Sequence, residues 1–255
     1  MHAVQRLHHY RQSISTRPFK ARGYKVTRCD NCRIALKHCI CSHRPSCHSA
    51  ASFLLLMWDD EVLKPSNTGR LIADLIDDTH AFIWQRTELA PELKALIEDP
   101  QYQPFVVFPQ DYANETHQVI NQVPDLAEGK RPLFILLDGS WREAKKMFRK
   151  SPYLAQFPVL SIMLDNQDER FRLRKAKGDD RLATAEVAAH VLRSFGEHDN
   201  GHLLDLWFDT FSQQYQAGAS HRYKSDIDAL EQLNEFVANK RNTNHNGVCS
   251  NAIIS

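Results

Sequence analysis

The sequence predicts a mostly parallel α/β sheet, with a zinc knuckle ahead of it and helices at its C-terminal side. Three observations carry this expectation. Short apolar runs alternate with helical patterns through the middle of the chain, as parallel strands and their crossovers require. One run, Leu133–Leu137, ends abruptly in Asp138-Gly139-Ser140-Trp141. Four cysteines, Cys29, Cys32, Cys39 and Cys41, fall within residues 29–41.

The elements follow in order. Residues 1–28 read as a flexible basic arm and 29–48 as the Cys/His-rich knuckle. The main α/β domain is expected over residues 49–239, and a disordered Asn-rich tail over 240–255. Ser52–Met57 is a continuous apolar run, hence a buried strand. After the Asn67-Thr68-Gly69-Arg70 turn, residues 66–77 read as a helix with Leu71, Leu75 and Ile76 on one face. Thr79–Arg86 is a second strand, and Pro91–Glu98 a short helix with Pro at its first position. Pro104–Pro109 is a strand bounded by prolines, Leu133–Leu137 a fourth, and Val159–Leu164 a fifth. Helices are expected at Trp141–Lys150, stopped by Ser151-Pro152, and at Thr184–Phe195. In the last two helices, Leu203, Trp207, Phe211 and Tyr215, then Ile227, Leu230, Leu233 and Val237, form core stripes.

At 255 residues and 42% hydrophobic, the chain can bury a sizeable core. It lacks any run of the roughly 18 apolar residues needed to cross a bilayer. The N-terminus has no apolar middle of the signal-peptide kind, and six cysteines in this length do not make a disulfide scaffold. A cytoplasmic setting with reduced thiols is expected, and Cys47 and Cys249 read as ordinary free thiols. Net charge is only +1, but residues 1–50 hold ten Lys or Arg against the single acid Asp30. That imbalance reads either as a footprint for phosphate backbones or as a solvated arm.

The spacing Cys-x2-Cys-x6-Cys-x-Cys can bring two thiolate pairs onto one tetrahedral ion, and zinc is the expected metal. Four thiolates leave no open coordination position, so the site is structural. The competing reading is four buried or reactive thiols. Asp138 sits where ligands bind in open α/β sheets, at the carboxyl end of a strand. Ser140 is placed to cap the next helix, whose Arg142, Lys145, Lys146, Arg149 and Lys150 are basic. The plainer readings are a turn carboxylate and a solvated helix face. A Gly-x-Gly-x-x-Gly fingerprint after a strand is absent.

The Cys cluster is followed in order by four further motifs: Asn67-Thr68-Gly69-Arg70-Leu71; Leu137-Asp138-Gly139-Ser140-Trp141 with Ala144, Lys145 and Met147; Leu173-Arg174-Lys175; and Leu182-Ala183-Thr184-Ala185-Glu186. In this order the sequence resembles the DTW-domain family of tRNA-uridine aminocarboxypropyltransferases, from about Cys29 to about Tyr215. Two positions depart from the family pattern. Its Asp-x-Thr-Trp is Asp138-Gly139-Ser140-Trp141 here, which keeps a hydroxyl, and its Ser-Thr-x-Glu-Ala is Ala183-Thr184-Ala185-Glu186-Val187, which loses one.

The resemblance implies a SPOUT-like fold, related to the knotted RNA-modifying enzymes, although the sequence itself shows no knot. It implies S-adenosylmethionine as donor and tRNA as acceptor. Its catalytic set maps to Asp138, Ser140 and Trp141, with Asp138 as general base or uracil-orienting group and Trp141 as a stacking face. The donor-binding set maps to Asn67, Thr68, Gly69, Arg70, Leu137, Arg174, Thr184 and Glu186, where Arg70 or Arg174 would meet the donor carboxylate. The tRNA-binding set is Arg22, Lys25, Arg28, Arg142, Lys145, Lys146, Arg149, Arg172 and Lys175. Two other readings stay open: an RNA methyltransferase of the same fold class, and a non-catalytic zinc-knuckle RNA-binding protein.

Overall fold

The computed structural model describes residues 1–20, 23–162, 182–219 and 227–246. Their elements run α1 (Ala3–Ser13), β1 (Ser52–Met57), α2 (Gly69–Leu75), β2 (Thr79–Ile83), α3 (Pro91–Glu98), β3 (Tyr102–Val107), β4 (Val119–Ile120), β5 (Arg131–Asp138), α4 (Trp141–Lys150), β6 (Val159–Leu160), α5 (Thr184–Ser194), α6 (His198–Ala219) and α7 (Ala229–Asn246). Among these residues the six strands form one parallel sheet of order β2-β1-β5-β3-β6-β4. The expected α/β class is what the structure contains.

The side-chain alternation of the central strands divides the core into two layers. Phe53, Leu55, Met57, Phe134 and Leu136 face α2, α5 and α6. Leu54, Leu56, Leu133, Ile135 and Leu137 face α3 and α4. Both faces are covered, so β1 and β5 read as unbroken apolar runs rather than alternating ones. Pro104 sits inside β3, opposite Leu133. It is tolerated because β6 pairs with β3 only at Val106 and Val107, leaving that flank of Pro104 unpaired.

Four expectations change. Residues 3–13, expected within a flexible arm, form α1, seated by Val4, which is wholly buried in the same core as α6. The expected tail from Lys240 begins inside α7, which runs to Asn246. Ile227 precedes α7 and is 59% exposed, so it is not a core position. Only the Val159–Leu160 part of the expected fifth strand is strand; Met163 and Leu164 lie outside the described residues.

The knuckle is docked rather than tethered. Ile34 and Ile40 are buried with Val4 and Trp207 in one cluster. Asp74 on α2 binds the surrounding parts together. It accepts from Trp207 Nε1 at 3.1 Å and lies 3.5 Å from His2, 3.7 Å from Arg44 and 3.6 Å from Arg70. Among the described residues no helix is long and apolar enough to cross a membrane.

Candidate active site and metal centre

Strand β5 ends at Asp138, in the middle of the sheet between β1 and β3. Its carboxylate is 2% exposed and is held from two sides. Asn67 Nδ2 donates to Oδ2 at 2.7 Å, and Thr184 Oγ1 donates to Oδ1 at 2.6 Å. Asn67 precedes α2 and also accepts, through Oδ1, the Arg70 N–H. Thr184 opens α5, whose Ala185 N–H points to Thr68 Oγ1 at 3.5 Å. One carboxylate therefore joins the starts of two helices to a strand end. Burial, then the charge of Glu61, push the Asp138 carboxyl up to about 6, against the hydrogen bonds from Thr184 and Asn67 and the Lys64 charge.

Gly69 is required by this arrangement. A Cβ there would stand 2.5 Å from Asp138 Oδ2. Gly69→Ala is expected to destabilise the protein by about 1–3 kcal/mol through overpacking, read as a lower urea midpoint. An unchanged midpoint would show that the turn and the carboxylate are not locked together.

Beside Asp138 lies a cavity of about 640 Å³ at the carboxyl ends of β3 and β5. Leu136, Leu137 and Gly139 form its β5 side, and Phe108 and Tyr112, which follow β3, form the opposite wall with Trp141. Thr184, Val187 and His190 of α5 close it. Trp141 stacks on Phe108 at 5.5 Å and 15°, and meets Tyr112 edge-on at 5.4 Å. Lys145 lies over both the Tyr112 and Trp141 rings, at 5.6 and 5.9 Å. Asp138 is not part of the wall; its neighbours Leu137 and Gly139 are. It reaches the cavity through Thr184, whose hydroxyl hydrogen is committed to Asp138 and whose lone pairs remain to accept.

The other residues named from sequence separate into groups. Ser140 is exposed; its N–H and Oγ–H both donate to Glu143, at 2.8 and 2.6 Å, which makes it the cap of α4. Glu186 is buried and accepts the Ala183 N–H at 2.7 Å, a helix-start role. Arg70 turns away from the cavity. Its guanidinium lies over Phe211 at 4.8 Å and donates to the Asn31 carbonyl at 3.4 Å. Successive helical residues rotate by about 100°, so the neighbour of a glycine that faces Asp138 faces elsewhere. Arg174, with Arg22, Arg172 and Lys175, lies outside the described residues.

On α4, Ala144, Met147 and Phe148 are buried, while Arg142, Lys146 and Arg149 are exposed. Lys146 stands 4.9 Å over Trp58, which stacks on Trp84 at 5.3 Å. Lys25 is exposed; Arg28 instead lies over Tyr215 at 5.4 Å and donates to the Arg33 carbonyl at 3.0 Å. Sequence reasoning missed Phe108, Tyr112 and His190 in the cavity wall, and Glu61 behind Asp138. Phe108 follows β3 directly and Tyr112 closes the turn after it, so the strand-end rule applied to Asp138 would have pointed to β3 as well.

The cysteines converge. Cys29 Sγ and Cys41 Sγ are 3.6 Å apart, Cys32 Sγ and Cys39 Sγ 3.8 Å, and all four sulfurs lie within 4.8 Å of one another. A zinc tetrahedron with bonds of roughly 2.3 Å has edges of about 3.8 Å, so the set can hold a zinc ion. The turn that makes this possible passes through Arg33, at φ 58°, whose N–H donates to the Cys29 carbonyl at 2.8 Å. The metal set lies apart from the cavity, and none of its cysteines lines it.

No solved structure matches this chain. The profile of the DTW domain matches residues 26–216, a span that takes in the knuckle, the Asn67–Gly69 turn, Asp138, the cavity wall and Thr184. On that match the chain belongs to the DTW domain family.

Proposed function

We propose that this protein transfers the 3-amino-3-carboxypropyl group of S-adenosylmethionine to N3 of a uridine in tRNA and releases methylthioadenosine. The observation that carries the reading is the cavity at the ends of β3 and β5, with Phe108, Tyr112 and Trp141 as one wall and the Asp138–Trp141 turn of a DTW domain at its border. Its 640 Å³ volume suits a nucleoside-sized ligand. Apolar walls and a few polar groups, Thr184 and Asp111 among them, fit a donor whose adenosine is flat and whose sulfonium carries the charge. The SPOUT-like relationship belongs to this reading, as does a cytoplasmic setting.

In the reaction, uracil N3 attacks the terminal methylene of the carboxypropyl chain. The new bond is C–N, the C–S bond breaks, and its electrons stay on sulfur as neutral methylthioadenosine. The sulfonium already activates three carbons, so the protein's task is to present only one of them in line. The N3 proton must leave. Thr184 offers a lone pair toward the cavity because its own hydrogen is held by Asp138. Asp138, raised toward neutral pH by burial, is the proton-accepting and orienting group behind it. Trp141 and Phe108 supply the flat apolar wall. The exposed cations of α4 meet tRNA phosphate.

The test is product analysis with unmodified tRNA and S-adenosylmethionine. Aminocarboxypropyl-uridine and methylthioadenosine are expected. S-adenosylhomocysteine would mean methyl transfer, and no donor-dependent product would refute both enzymes. Trp141→Ala is expected to lower kcat/KM for the donor by about tenfold or more, from the loss of one stacking face. Unchanged kinetics would assign Trp141 to packing alone.

A further inference from the structure

A second cavity, of about 570 Å³, lies between the end of α1 and the knuckle. Its charge is one-sided. Arg17, Arg28 and Arg33 line it, with His8 and His9, against the single carboxylate of Asp30. Arg33 is the informative member. It is 5% exposed, and its Nη1 donates to the Val62 carbonyl at 2.9 Å. Its Nε and Nη2 are buried with no hydrogen-bond partner among the described residues. A guanidinium with two unmatched donors costs several kcal/mol to keep in the interior unless an anion completes it. Two adjacent N–H groups of one guanidinium fit the two oxygens of a phosphate. Phe19 and Tyr24, 37% and 58% exposed, stand at the same cavity and offer flat faces beside the cations. Cations tracking a backbone with aromatics for bases is the pattern of single-stranded nucleic-acid sites.

We propose that this cavity seats a phosphodiester of the RNA substrate, with Arg33 and Arg17 on the phosphate. The proposal rests on the nucleic-acid reading above and adds where the backbone is held. Leu63 and Pro65 line the cavity, and two residues on Asn67 donates to Asp138. Two residues span at most about 7 Å, so one RNA strand can occupy this cavity and approach the reacting site together.

The experiment measures binding of an unmodified tRNA transcript by fluorescence anisotropy from about 50 to 200 mM salt. The full-length protein is compared with Arg17→Ser, an exposed position, and with Arg33→Lys, which keeps the charge but loses the fork. Near-UV circular dichroism checks that each variant is folded. Each is expected to bind tRNA about tenfold more weakly. In Arg17→Ser the salt slope should also be shallower by about one. Inorganic phosphate, against chloride at equal ionic strength, should raise the Tm of the wild type and not of Arg33→Lys. A phosphate-dependent Tm with unchanged tRNA affinity in both variants would assign the cavity to a free phosphate and overturn the RNA proposal. Unchanged affinity and slope in a folded Arg17→Ser protein, with no phosphate effect, would overturn it entirely. These readouts need no turnover. An inactive wild type that binds tRNA in this way would refute the transferase reading alone, and an active one indifferent to both substitutions would refute the cavity alone.

Discussion

Asp138→Asn is expected to reduce aminocarboxypropyl transfer by about 100-fold or more, the scale on which misplaced reacting groups lose rate. The carboxylate accepts from Asn67 on one oxygen and from Thr184 on the other. An amide can present only one acceptor oxygen. Its nitrogen would confront a donor, either Asn67 Nδ2 or the Thr184 hydroxyl. The cost in stability is about 1–3 kcal/mol, the range for a buried polar group left unmatched. If the Thr184 hydrogen turns away, its lone pairs no longer face the cavity, and the proton acceptor behind it is gone as well. tRNA binding should survive, because the exposed cations of α4 are untouched. Near-normal product formation by this variant would remove Asp138 from the mechanism.

The same substitution carries a pH signature. The Asp138 carboxyl is raised from 3.8 to about 6 in the folded protein, first by burial and then by Glu61. Between those values the folded state holds a proton that the unfolded chain has released. The group's contribution to stability is therefore full below pH 4 and is lost as pH rises through 6. Asn does not titrate. In urea melts at pH 4 and pH 7, the advantage of wild type over Asp138→Asn should be larger at the lower pH. An equal gap at both would show that the carboxyl is not raised.

How much of this could be read in advance depends on which physical signal each element emits. Ser52–Met57 and Pro91–Glu98 were legible to the residue, one as an apolar run buried on both faces and the other as a helix opened by proline. Asp138 was legible as a strand end because five apolar residues precede it. Its partners were not legible from spacing, since Asn67 and Thr184 lie 71 and 46 residues away and meet it only through the crossover connections. Only the order of motifs in the family resemblance put them in one pocket. Helix α1 is mostly polar and rests on Val4, so nothing periodic marks it in the sequence. Strand β4 is two residues long, below what alternation can signal. Arg70 was placed in the right turn but on the wrong side of it. Position in a motif does not fix direction, and the rotation between Gly69 and Arg70 decides it.

Removing the metal is expected to have an effect out of proportion to the size of the knuckle. Structural zinc contributes apparent binding free energies of about 10–16 kcal/mol to the folding of small zinc peptides. Here the four cysteines sit on a turn that carries Ile34 and Ile40 into the same core as Val4, Trp207 and α6. Cys32→Ser, or treatment with a strong chelator, should lower Tm by ~10 °C or more. Elemental analysis should find one zinc per chain in the wild type. A metal-free preparation with the same Tm as the untreated wild type would show that the cysteines pack without an ion. Transfer activity should fall along with Tm, even though no cysteine lines the reacting cavity. The route is in the contacts. Arg33, one residue past Cys32, donates to the Val62 carbonyl; the adjacent Glu61 accepts from Asn67 Nδ2 at 3.4 Å; and the same Nδ2 donates to Asp138. Arg70, directly after Gly69, donates to the carbonyl of Asn31 within the knuckle itself. Loosening the cysteine turn is therefore expected to release both sides of the segment that positions Asp138, so that loss of the ion is felt at a site none of its ligands touches.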